Sequence, residues 1–132
     1  LNVGDSRAYE IKNGIRQLTA DQTFVAREVA CGNMTEEQAK MDERRNVLLQ
    51  CVGASEEVYP DMFFGEVQRD AVYMLCSDGF RHEITPEEIE EGLQPEILLD
   101  EHKMQCCATE LVEKNKMRGE RDNISVALIR TF

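Results

Sequence analysis

The stretch Ala71-Val-Tyr-Met-Leu-Cys-Ser-Asp-Gly-Phe80 constrains this chain more than any other. Six apolar, largely β-prone residues, then Ser77, run into a carboxylate and a glycine, in a sequence of which 31% is charged. Such a break in the charge predicts a strand buried on both faces, and Asp78-Gly79 supplies the turn that stops it. The strand then delivers Asp78 to a sheet rim, as a turn residue or as a ligand.

Two further aspartates stand in comparable places. Asp5 follows Leu1-Asn-Val-Gly4, and Asp122 precedes Ile124-Ser-Val-Ala-Leu-Ile129, a second run of strand character. If the strand after Asp122 and the strand before Asp78 are antiparallel neighbours, the start of one and the end of the other share an edge, where three carboxylates could converge. Two such charges ~4 Å apart repel by about 4 kcal/mol at an effective dielectric near 20. An uncompensated cluster would therefore take up protons or destabilise the fold, and a divalent cation resolves the conflict. An all-oxygen set without His or Cys at ligand spacing favours Mg²⁺ or Mn²⁺ over zinc. Against this stands ordinary turn chemistry, since Asp beside Gly or Asn is common in turns.

The order of the motifs separates the two. Gly4-Asp5-Ser6-Arg7-Ala8-Tyr9, Gln17-Leu18-Thr19-Ala20-Asp21, Arg45-Asn46-Val47-Leu48, Cys76-Ser77-Asp78-Gly79-Phe80 and Arg121-Asp122-Asn123-Ile124-Ser125 follow one another along the chain. Together they resemble the bacterial form of the protein phosphatase 2C family, the metal-dependent Ser/Thr phosphatases. The resemblance covers the second half of such a domain. The family's Asp-Gly-x-Gly-Gly turn, whose aspartate bridges two metals, and its upstream phosphate-gripping arginine are not found here.

The resemblance implies roles for single positions. Asp78 and Asp122 match the aspartates that hold the first catalytic metal, with Gly79 and Asn123 beside them. Asp5 matches a ligand of a third, more labile metal. Arg7 and Arg45 are the substrate-side candidates. Two blocks depart from the pattern: Asp21-Gln22-Thr23 replaces Asp-His-Ser/Thr, and Asp42-Glu43-Arg44-Arg45-Asn46 replaces His-Pro-x-Arg-Asn. These departures bear on substrate handling more than on the fold.

Composition narrows the partners. The 132 residues, 42% of them hydrophobic, suffice for one compact domain or part of one, so residues 1–132 are expected to be the C-terminal portion of a single phosphatase-like domain. A formal net charge of -11 argues against nucleic acid, which needs clustered Lys and Arg. No apolar run reaches the ~18 residues that would span a membrane, and no signal peptide is expected. Five cysteines without a Cys-x-x-Cys spacing fit a reducing, cytoplasmic setting, each expected as a small buried apolar residue.

Taken in order, Leu1 to Leu18 predicts a short first strand to about Val3, a second near Arg7–Ile11, a turn at Lys12-Asn13-Gly14 and a third strand at 15–18. Residues 19–45 turn helical, with a capping box at Thr35-Glu-Glu-Gln38, and resemble the family's mobile flap. A buried strand is expected at 46–53 and another at 62–67, the latter pairing as a hairpin with the strand from Ala71. Thr85-Pro86-Glu87-Glu88 starts a helix. In 101–117, Met104, Cys107, Ala108, Leu111 and Val112 fall on one helical stripe that should lie on a sheet. His82 and His102 read as surface or turn residues.

The fold class expected is α+β, a layered α-β-β-α sandwich of antiparallel sheets flanked by helices, represented by its second half. The function the resemblance implies is hydrolysis of phosphoserine or phosphothreonine in proteins by metal-activated water, on substrates of a Ser/Thr kinase. A missing N-terminal half, or a second copy, would complete the sheets. The alternative is a non-catalytic, phosphatase-like regulatory or interaction module. A cysteine phosphatase is rejected, because Cys76 and Arg81 are one residue short of the required spacing and Asp78 would raise the thiol pKa. A serine hydrolase at Ser6 is rejected because no His follows His102 to serve as its base.

Overall fold

The computed structural model describes residues 1–132, which divide into two compact units. One comprises Leu1–Ser6 and Thr19–Phe64, the other Arg7–Leu18 and Gly65–Phe132.

The second unit carries the sheet. Strands β1 (Arg7–Ile11), β2 (Ile15–Gln17), β3 (Val72–Cys76) and β4 (Val126–Arg130) pair in the order β2-β1-β3-β4, antiparallel throughout. Asn13 at φ 53° and Gly14 at φ 134° turn β1 into β2, as the Asn-Gly signal requires. The register aligns Arg7, Cys76 and Val126 at one end of the sheet. β3 and β4 are antiparallel neighbours, the condition on which their two aspartates share an edge.

Alternation along the strands sorts the residues into two faces. Tyr9, Ile11, Val72, Met74 and Cys76 are buried, with Val126 and Leu128 packed against them. Helices α3 (Pro86–Gly92) and α4 (Glu101–Met117) cover this face through Ile89, Leu93, Met104, Cys107, Leu111 and Val112. The apolar stripe of α4 thus lies where its spacing puts it. Full burial of side chains such as Ile89 and Leu93 contributes about 1.5–3 kcal/mol each. On the opposite face, Leu75 is 51% and Ile129 54% exposed. The expectation that β3 is buried on both faces is therefore corrected: helices cover one side of it, and the sheet is single.

Helix starts follow local chemistry. Thr85 caps α3 with a capping box to Glu88 and a proline in the first turn, and the Asp100 carboxylate accepts the Lys103 N–H at the start of α4. Lys114 and Lys116 lie in the last turn of α4, where cations suit the helix dipole.

The first unit holds α1 (Phe24–Ala30), capped by Thr23, and α2 (Glu36–Met41), capped by the Thr35–Gln38 box. Gln22 is its buried hub. Its side chain accepts the Gly4 N–H at 2.8 Å and donates to Asp61 Oδ2 at 3.0 Å, while its main chain bonds Gly4 and Leu49.

Four expectations fail. No strand forms at 1–3, where Asn2 makes an isolated bridge to Asp61, and none at 46–53, where Leu48 makes one to Thr23. Val47, Leu48 and Leu49 are exposed rather than buried. No strand forms at 62–67 either, Phe64 is 88% exposed, and β3 pairs with β1 and β4 instead of with that segment. Apolar and β-branched composition makes a strand only where a sheet edge accepts it, and both neighbours of β3 are already taken. Finally, Cys31 and Cys51 are exposed and Cys106 and Cys107 half-buried, leaving Cys76 as the buried thiol; all five are free.

Candidate functional site

Past Cys76 the chain leaves β3 and closes into a 3-10 turn over Asp78–Phe80. Before Val126 it approaches β4 through Asp122 and Asn123. Ser77 fastens the two segments: its N–H donates to Ser125 O at 3.0 Å, its hydroxyl donates to Asn123 O at 3.1 Å, and the same oxygen accepts the Ser125 N–H at 3.0 Å. Gly79 makes the approach closest. A Cβ there would lie 2.5 Å from Asn123 O and 3.3 Å from Asp122 Cβ, so only hydrogen fits. The segments that carry Asp78 and Asp122 thereby adjoin at the end of the sheet where Arg7 begins β1.

Each carboxylate uses one oxygen to brace its own turn. Asp78 Oδ1 accepts the Gly79 N–H at 2.9 Å, and Asp122 Oδ1 accepts the Asn123 N–H at 2.7 Å. The remaining oxygens are hard donors suited to Mg²⁺ or Mn²⁺, and the pair fits part of a cation's ligand set. Across the structure no three His, Cys, Asp or Glu side chains come together so as to hold a metal ion. Asp5, half-buried beside Gly4 at φ 98°, belongs to the first unit.

Two residues at the rim escape the sequence reading. Glu120 accepts the N–H groups of Asp122 at 2.8 Å and Arg121 at 2.7 Å. The Asp122 N–H above all holds its carboxyl below the usual range, against partial burial that pushes it up. His82 lies between the two segments, Nδ1 at 3.1 Å from Glu120 Oε2 and Nε2 at 3.7 Å from Asp78 Oδ2. It is the exposed residue the sequence predicts, and it also bridges the two segments of the rim. The signal was its position four residues after Asp78.

The substrate-side candidates part company. Arg7 stands at the rim end of β1 and donates from Nη1 to Tyr9 Oη at 2.9 Å. Arg45 is exposed in the first unit and donates to Asp42 O at 3.4 Å. The departure at Asp42 has a local use: its carboxylate takes a two-pronged bond from Arg44, at 3.0 and 2.9 Å, which lowers it to about 2. Arg44 in turn lies 4.3 Å over the Phe24 ring. Gln22 likewise serves the packing of its unit.

No protein-family model matches the chain. The serine/threonine phosphatase Stp of Listeria innocua is 35% identical over 129 residues, 97% of this chain and 49% of its own length. A serine/threonine phosphatase of S. agalactiae superposes with a TM-score of 0.86 at 27% identity, over 99% of this chain and 52% of that one. The catalytic domain of the serine/threonine phosphatase PstP, solved with two manganese ions, superposes with a TM-score of 0.74 at 29% identity, over 96% of this chain and 50% of that one. The chain spans about half the length of the curated relative. No helix is long and apolar enough to cross a membrane.

Proposed function

We propose, for a chain that belongs with the bacterial serine/threonine phosphatases of the 2C type, a part in the metal-dependent hydrolysis of phosphoserine and phosphothreonine in proteins. The observation that supports this reading is the close approach of Gly79 to Asn123, which brings the segments carrying Asp78 and Asp122 against each other.

Asp78 and Asp122 would hold a Mg²⁺ or Mn²⁺ ion. A bound divalent cation supplies acidified water and screens the charge on phosphoryl oxygens. The residues of this chain bind and orient. Ser77 and Gly79 fix the carboxylates, Glu120 and His82 brace them, and Arg7 attracts the phosphate at the same end of the sheet. Substrates are phosphoproteins made by a Ser/Thr kinase. Other ligands and the phosphate clamp come from polypeptide outside this chain, either the other half of such a domain or a second copy. It docks on the bare sheet face at Leu75 and Ile129. The free thiols favour a cytoplasmic setting.

Calorimetric titration with Mn²⁺ tests the core of the proposal. Wild type is expected to bind, and Asp78→Asn and Asp122→Asn to lose binding while keeping the circular dichroism of the parent. Equal affinity in the variants, or no binding by wild type, would sink it.

A further inference from the structure

Asn115 is a fully buried amide near the end of α4, on the stripe that otherwise carries Leu111 and Val112. Its Nδ2 donates to Phe80 O at 2.9 Å and to Leu111 O at 3.0 Å. Its main-chain carbonyl accepts from Glu120 N at 3.1 Å and Arg118 N at 3.2 Å. Glu120 then accepts the Asp122 N–H. One residue thus ties the Asp78–Phe80 turn to the loop that presents Asp122.

Oδ1 of the same side chain is buried and accepts no hydrogen bond from the protein. A buried acceptor without a donor costs stability. The amide is explained by what its donors hold. Because Nδ2 faces two carbonyls, its orientation is fixed by chemistry: the reversed amide would oppose oxygen to oxygen.

We infer that Asn115 is a positioning residue, which sets the Asp78 turn against the Asp122 loop so that the two carboxylates meet a cation in one geometry. The inference deepens the metal reading above and rests on it for its functional meaning. Its structural content stands by itself.

The test compares Asn115→Leu, similar in size but without donors, with Ile89→Val, which thins the core and touches no side-chain hydrogen bond. Hydrogen exchange is read peptide by peptide, and Mn²⁺ affinity by calorimetry. In Asn115→Leu the amides of Phe80 and Arg81 are expected to exchange at least tenfold faster while 72–76 and the amides of Arg118 and Glu120, held by the main-chain carbonyl of residue 115, stay protected, and Mn²⁺ affinity to fall at least tenfold. Ile89→Val should change neither selectively. Unchanged rim exchange in a folded Asn115→Leu, or acceleration no greater than in Ile89→Val, overturns the inference. If wild type binds no Mn²⁺, the metal reading fails, and the exchange contrast still decides the role of Asn115. Asn115→Ser replaces Asn115→Leu in the same comparison if the leucine variant does not fold.

Discussion

A methyl group on Gly79 would sit 2.5 Å from the carbonyl oxygen of Asn123, inside any distance a real carbon accepts. Neither partner has an easy retreat. Gly79 is in the turn that closes β3, and the Asn123 oxygen is held by the Ser77 hydroxyl. Gly79→Ala is expected to destabilise the second unit by about 1–3 kcal/mol, as overpacking does, and to weaken Mn²⁺ binding beyond that loss. Thermal melts with and without Mn²⁺ check both.

Acid should loosen the seam between α3 and α4. Glu88 accepts from Arg118 at 2.7 Å and Lys114 at 2.8 Å, and also from the Thr85 N–H at 3.0 Å. The Arg118 guanidinium first, then Lys114 and the Thr85 N–H, hold its carboxyl far below the usual range. A carboxyl depressed in the folded state stabilises it above the unfolded pKa and loses that contribution as pH falls towards the folded one. Melting temperature between about pH 6 and about pH 3 should therefore drop more steeply in wild type than in Glu88→Gln.

The two capping boxes predict different consequences for the same mutation. Thr85→Ala removes the cap of a helix whose Ile89 is buried in the core, so about 1 kcal/mol should be lost from the unfolding of the second unit. Thr35→Ala removes the cap of α2, which buries no residue. There the loss should appear as local fraying, visible in amide exchange at 36–41 and absent from the melting of the second unit.

Leu75→Lys probes the bare sheet face. At 51% exposure, the change is expected to move the stability of this chain by no more than about 0.5 kcal/mol. Self-association followed by light scattering should fall. A large loss of stability in dilute solution would mean that the face is covered within the chain itself.

What the sequence disclosed depended on how local each signal was. The 101–117 helix was legible because five apolar side chains recur at helical spacing, and the β1–β2 hairpin because Asn13-Gly14 prescribes its own turn. The strand character of β3 and β4 was legible from two apolar runs flanked by Asp78 and Asp122, while their pairing entered only as a condition. Segments 46–53 and 62–67 misled for a physical reason: their apolar residues look like strands, and pairing depends on an edge that no local window reveals. The exposure of Leu75 was hidden likewise, since an apolar run does not say how many of its faces are covered. Glu120 and His82 were obscured because a charge near a turn is ordinarily solvated. Their use as brackets exists only once 77 and 125 meet.

That meeting has a kinetic consequence. Ser77 and Ser125 are 48 residues apart along the chain, with α3 and α4 between them. The loop they close forfeits entropy before their hydrogen bonds repay it, so such contacts form late and set the pace of folding. Affinity for a cation at Asp78 and Asp122 should accordingly emerge with the last phase of refolding, together with the closure of β3 on β4, and never in a peptide that carries one aspartate alone.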